Sequence, residues 1–284
     1  MKKLLAVIAA VSMTAALAGC GSSASTQTAS TQAVSEAASA VSTEAVSTAA
    51  AETAASTEAS SEAATKAPAT EGKVMTHDEY MAADTDSPVT VETYVQAKQS
   101  WWENKATFYT QAEDGAYFIY DCPCSEEDYD KLTPGTKIKV TGYKSEWSGE
   151  IEITDATFEI EDGNYVAKPA DLTSELGSED LIDHQNEFAA FKGMTVEASK
   201  DASGKDAAFL YNYDGSGAEG DDLYFNVSVN GKTYTFTVES YLCDKDTDVY
   251  KAVENLKVGD KVDMEGFLYW YEGVNPHITS ITVE

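Results

Sequence analysis

Leu132-Thr133-Pro134-Gly135-Thr136-Lys137-Ile138-Lys139-Val140-Thr141-Gly142-Tyr143 runs in step with Leu256-Lys257-Val258-Gly259-Asp260-Lys261-Val262-Asp263-Met264-Glu265-Gly266-Phe267. Each stretch has a leucine, a glycine three residues on, a lysine, alternating apolar positions, then a second glycine and an aromatic. The alternation predicts a half-buried strand, and the glycine before it predicts a turn. Both copies continue with aromatics, a glycine (Gly149, Gly273) and a closing apolar strand, at 153–159 and 278–284. Upstream, Thr90-Val91-Glu92 answers Thr195-Val196-Glu197. Three matches in the same order predict a tandem duplication, so residues 73–284 divide into related domains at 73–172 and 173–284.

Period-two patterning in the first copy predicts strands at 88–97, 105–112 and 115–121, with Asp114-Gly115 as a hairpin turn. A short acidic helix at 125–132 follows, then strands at 136–146 and 150–160. The second copy repeats the plan with Asn230-Gly231 as its hairpin and a helix at 245–255, and adds an excursion at 200–222. Helical lead-ins are predicted at Thr76-His77-Asp78-Glu79, which has capping-box spacing, and over 179–191, where apolar residues fall at helical intervals. Three strands, a helix and two strands, with Leu-x-x-Gly-x-Lys-Val/Ile before the fourth strand, resemble the OB-fold, a five-stranded barrel. The expected class is mainly β: two tandem OB-like barrels with short helices.

The chain begins with Lys2 and Lys3, an apolar run over 4–17, and Leu17-Ala18-Gly19-Cys20. The run is too short to span a bilayer, which takes roughly 20 residues, and it reads as a signal peptide over 1–19. The last four residues resemble the lipobox of bacterial lipoproteins. That resemblance implies cleavage before Cys20, lipidation of its thiol and anchoring at the extracytoplasmic face of the cell membrane of a Gram-positive host. Several acyl chains hold a protein durably, since each buried CH₂ contributes about 0.8 kcal/mol. Over 21–72, 37 residues are Ala, Ser or Thr and none is aromatic. Such a segment buries too little to offset its ordering entropy, so 20–72 is expected to be a disordered tether. Its flexible-coil span is about 40 Å. As a whole the chain is similar to Gram-positive surface lipoproteins with tandem OB-like domains, a likeness that carries no activity with it.

The net charge is −30 and no arginine occurs. Nucleic-acid binding by OB-folds draws on Lys and Arg to displace counterions, so no nucleic-acid partner is expected. No catalytic motif appears, and Gly231-Lys232-Thr233 lacks the upstream glycine of a phosphate loop. His77, His184 and His277 stand apart and read as satisfied or solvent-facing. Cys122, Cys124 and Cys243 read as buried packing thiols, with no pairing expected between Cys124 and Cys243. Asp244-Lys245-Asp246-Thr247-Asp248 opens like a calcium loop, but Val249 and Asn255 stand where that pattern wants Gly and Glu; it reads as a helix start. Residues 214–222 read as a mobile acidic loop. No metal or other cofactor is expected.

Aromatics remain as candidate ligand-binding residues: Trp101 and Trp102 between strands one and two, Trp147 between strands four and five, and Tyr269, Trp270 and Tyr271 at the corresponding place in the second copy. These loops flank the ligand face of an OB barrel, and flat rings suit sugars or cations. The alternative is that the rings pack between the barrels. The expected function is a non-enzymatic, membrane-anchored binding protein for an envelope saccharide, a cationic peptide or a protein. The alternatives are a cell-wall-acting enzyme, which a cleft with two carboxylates of raised pKa would favour, and a divalent-cation-responsive module.

Overall fold

The computed structural model describes residues 69–284, so the expected signal peptide, Cys20 and nearly all of the expected tether lie outside the described residues. Two residues assigned to the tether contact the first barrel: the Gly72 amide donates to Thr90 Oγ1 at 3.1 Å and Glu71 pairs with Lys139 at 3.0 Å.

The first copy opens with α1 (His77–Ala82) under the expected capping box, with Thr76 accepting from the Glu79 amide. Strands β1 (Pro88–Lys98), β2 (Lys105–Gln111) and β3 (Ala116–Pro123) follow, then α2 (Glu126–Lys131), β4 (Thr136–Trp147) and β5 (Glu150–Asn164). They close in the order β1-β2-β3-β5-β4, with β4 returning to β1, and the only parallel contact joins β3 to β5. This is OB topology. Lys144 is buried and donates to the carbonyls of Met81 (2.6 Å) and Ala83 (2.9 Å), fixing the end of α1 against the barrel.

The second copy begins with β6 (Ala170–Asp171) and a 3₁₀ turn (Glu179–His184), then β7 (Phe188–Glu197). An excursion of short strands β8 (Ser199–Lys200), β9 (Asp206–Ala207) and β10 (Leu210–Tyr211) leads to β11 (Leu223–Val229) and β12 (Lys232–Val238). Helix α3 (Asp248–Glu254), β13 (Lys261–Phe267) and β14 (His277–Val283) complete it. The pairing runs β7-β11-β12-β14-β13 and back to β7, the same closed order as the first barrel.

The repeated motif has the same physical reasons in both copies. Leu132 and Leu256 plug the barrel cores below the helices, at 0% and 6% exposure. Gly135 and Gly259 hold φ of +95° and +94°, the left-handed region that glycine enters without a Cβ clash. Gly142 and Gly266 lie against the closing strand: a Cβ would stand 2.8 Å from the Thr154 carbonyl oxygen and 2.1 Å from that of His277. Between the glycines, Ile138, Val140, Val262 and Met264 fill the cores.

Two expectations are corrected. The helix predicted over 179–191 ends at His184, and Phe188 to Phe191 belong to β7. Ala189, Ala190 and Phe191 are all buried, because β7 is covered on both faces; that erases the period-two signature and mimics helical spacing. The domain boundary drawn at 172/173 moves to just before Ala170, since Ala170 pairs with Ala189, and Leu172 sits in the second core.

The barrels belong to one compact unit, joined by a seam. Tyr109 and Phe118, on the outer face of β2 and β3, are buried with Phe267 in a cluster that also takes up Phe188, Leu242 and Tyr269. Tyr109 stacks on Phe267 at 4.7 Å and Phe118 meets Tyr269 edge-on at 5.3 Å. Polar contacts frame the rings: the Phe188 amide donates to Gln111 Oε1 (2.8 Å), the Ser100 amide to the Tyr241 carbonyl (2.7 Å) and Gln185 Nε2 to the Gly149 carbonyl (2.8 Å).

Candidate functional site

The seam covers the β2–β3 face of the first barrel and leaves the corresponding face of the second uncovered. Phe118 pairs with Glu152 across β3 and β5, and Thr237 pairs with His277 across β12 and β14; Ile153 and Ile278 follow as core residues. Aligned on that register, Tyr109 of β2 corresponds to Tyr224 of β11, and Gln111 to Asn226. Tyr109 is 1% exposed, capped by the second barrel. The matching face of the second barrel lies open.

On that open face lies a groove of about 590 Å³, within the range common for small-ligand sites. Its floor is made by residues of β11 and β12 that alternate outward from the core: Tyr224, Asn226 and Thr235. One wall comes from the excursion after β7, with Ser199, Lys200, Leu210 and Tyr213; the other comes from the loop between β13 and β14, with Tyr271, Val274 and Asn275. A hydrogen-bonded ladder orders the floor, Asn226 Nδ2 donating to Ser199 Oγ (3.1 Å) and Thr235 Oγ1 donating to Asn226 Oδ1 (2.8 Å). Thr237 Oγ1 holds Asn275 Oδ1 at 2.8 Å. The loop over 214–222, read as mobile, is tied down: Asp222 Oδ1 accepts from the amide and hydroxyl of Ser240 at 2.7 Å, and Tyr250 OH accepts from the Gly220 amide at 2.8 Å.

The six aromatics predicted for a binding site separate. Tyr271 lines the groove, and Trp147 backs it with ring centroids 5.0 Å apart. These are equivalent positions of the two copies, each followed by a residue with φ of +52° and a glycine. The Glu272 amide donates to the Ser148 carbonyl at 2.7 Å, so the two loops clasp each other. Tyr269 and Trp270 belong to the seam: Tyr269 stacks on His277 at 4.2 Å, and the Trp270 ring covers Gly149, whose Cβ position lies 2.9 Å from Trp270 Cδ1. Trp101 is half-buried, donating from Nε1 to the Cys124 carbonyl at 2.8 Å. Trp102 is 73% exposed at the tip of its loop, away from the groove. Tyr213 and Tyr224 were missed; the alternation of Tyr224 with Leu223 and Phe225 is the signal that points it outward.

The seam also collects buried titratable groups. Glu150 Oε2 accepts from the Trp270 amide at 2.9 Å, while Glu150 Oε1 and Asn186 Oδ1 are buried with no hydrogen-bond partner among the described residues. Burial outweighs the lowering influence of the Asn186 side chain and the Trp270 amide and raises the Glu150 carboxyl well above its ordinary range. A proton kept on Glu150 removes a charge that the site does not compensate. Burial pushes Glu152 up to about 7. His277 Nδ1 lies 2.7 Å from Tyr109 OH and 3.8 Å from Glu239 Oε2, and burial depresses its pKa to about 3, keeping the ring neutral. Two carboxylates of raised pKa are therefore present, but they are closed into the seam and line neither this groove nor the second one, beside α2.

Cys122, Cys124 and Cys243 are buried free thiols. Burial raises them to about 12, 11 and 12. Thr247 caps α3 and Asp248 sits in its first turn, the helix-start arrangement. Among the described residues no group of three or more His, Cys, Asp or Glu is gathered as a metal site.

No protein-family model and no curated protein matches the chain. Solved structures do. The p204 HINb domain is 12% identical over 70% of this chain and 98% of its own, with a TM-score of 0.31. The Ifi202 HINa domain in complex with 20 bp dsDNA is 15% identical over 70% and 96%, with a TM-score of 0.29. A replication protein A heterotrimer bound to ssDNA is 10% identical over 72% and 51%, with a TM-score of 0.28. These likenesses concern the fold alone. One expectation is corrected: net charge does not exclude nucleic acid as a partner. Net charge is a sum over the chain, whereas recognition depends on the lining of one face, and this groove contains no carboxylate.

Proposed function

We propose that this chain is a lipid-anchored, extracytoplasmic binding protein without catalytic activity, which takes its ligand on the open β11–β12 face of the second barrel. The observation that carries the reading is the asymmetry of two like barrels. The first spends its ligand face on the seam, and the second keeps the same face open between two loops, with a hydrogen-bonded polar floor. The first barrel then serves as a rigid mount, supplying Trp147 to brace Tyr271. The lipobox at Cys20 and the Ala/Ser/Thr segment support a role at a membrane surface, the segment acting as a spacer.

Two measurements test this. Labelled palmitate is expected in the full chain and absent from Cys20→Ser; equal labelling removes the anchor. Sedimentation of Cys20→Ser chain with isolated cell-envelope material is expected to weaken when Thr235→Trp fills the groove and to persist with Trp102→Ala. The reverse pattern moves the binding surface to the first barrel's loop.

A further inference from the structure

We infer that the groove on the second barrel takes an uncharged glycan strand. This rests on the open face being the binding surface, and it chooses among the ligand classes that the sequence leaves open.

The choice follows from the lining. The chain carries 49 acidic residues, yet among the described residues no Asp or Glu lines this groove. A cationic peptide would find no carboxylate there to replace its lost hydration. The one charged lining residue, Lys200, is already paired with Asp206. What the groove offers is rings and neutral hydrogen-bonding groups. Tyr224 lies in the floor, with Tyr213 edge-on to it at 6.5 Å and 81°. Tyr271 faces them from the opposite wall, stiffened from behind by Trp147. Rings held in this way present flat apolar faces that match the C–H faces of pyranose rings, with phenol hydroxyls at their edges.

The ladder on the floor supplies the other half of the match. Asn226 uses one amide hydrogen on Ser199 and accepts from Thr235. That leaves the second amide hydrogen of Asn226 and the lone pairs of the exposed Thr235 for a ligand, above the buried Ser199. Mixed donors and acceptors at close spacing suit sugar hydroxyls, which both donate and accept. Because the ladder is bonded before the ligand arrives, less side-chain ordering is lost on binding.

The test is calorimetric titration of the full chain in detergent with tetramers of β-1,4-N-acetylglucosamine, β-1,4-glucose and α-1,4-glucose, and with hexalysine and a dT12 oligonucleotide. The expected result is saturable heat with at least one glycan, weakened at least tenfold by Tyr224→Ala and by Thr235→Trp and unchanged by Trp102→Ala. Thr235 is exposed, so its variant keeps the fold intact. Heat from hexalysine or dT12 alone, lost in Thr235→Trp, overturns the glycan assignment and leaves the open face as the binding surface. Glycan heat unaffected by Thr235→Trp overturns the assignment to this groove. Silence from all five probes overturns the glycan assignment; if Thr235→Trp also leaves envelope sedimentation unchanged, the open-face reading falls with it.

Discussion

Replacing Glu152 with Gln keeps the shape of the side chain and removes its titration, which makes the seam's electrostatics measurable. Glu152 has an ordinary value of 4.5 and rises to about 7 on burial in the folded chain. The folded state therefore holds this proton more tightly than the unfolded state. The associated stability is complete below pH 4.5, falls as pH rises through 7, and changes no further above it. A shift of this size corresponds to about 3 kcal/mol. His277 works in the opposite direction: its pKa falls from 6.5 to about 3, so its contribution is complete above pH 6.5 and is lost as pH falls towards 3. The wild-type profile mixes the two, and only a difference isolates either. Urea unfolding in the Cys20→Ser background, followed by tryptophan fluorescence at pH 4.5 and 7.5, supplies it. Relative to the parent, Glu152→Gln is expected to be more stable at pH 7.5 than at pH 4.5 by about 3 kcal/mol. A difference that stays constant between the two pH values would refute a buried, proton-retaining Glu152. His277→Gln provides the opposite sign, gaining on its parent as pH falls.

Three further outcomes follow from the same packing. Gly266→Ala places a Cβ 2.1 Å from the His277 carbonyl oxygen, so it is expected to cost about 3 kcal/mol in urea unfolding, whereas Gly273→Ala, with open space at its Cβ, costs only backbone strain. Phe118→Ala removes a ring from the seam and is expected to destabilise by about 3 kcal/mol, with faster hydrogen exchange at Tyr109 and Phe267 than in the second core. With thiols raised to about 11 or 12, native Cys20→Ser chain at pH 8 is expected to react slowly with a thiol reagent and rapidly in urea; three fast native thiols would contradict the burial.

The parts legible in the sequence are those with local causes. Period-two patterning placed β1 to β5 and the closing strand β14 within a few residues, because each buries one face on its own core. The repeated glycines were readable because backbone conformation and close strand approach exclude a Cβ, whatever the surroundings. Where β7 is covered on both faces, the same logic fails and the spacing looks helical. The candidate site was legible only in part. Tyr271 and Trp147 were picked out as loop aromatics, but Tyr269 and Trp270 occupy the neighbouring loop positions and point into the seam. A loop's residue types do not say which way it folds.

The sequence by itself determined a duplicated five-stranded plan, its turns and its core residues. Only the tertiary structure decided which of the two equivalent barrel faces stays open. Tyr109 and Tyr224 are both outward tyrosines on the second strand of a barrel, and nothing in their neighbours separates them. One is closed by Phe267 and His277 from across the seam, and the other lines a groove. The same holds for Glu150 and Glu152, which alternate with the core-facing Ile151 and Ile153 and become buried carboxyls of raised pKa because a second barrel covers them. Docking between copies is a long-range event, and its desolvation is felt by residues whose local patterns carry no trace of it.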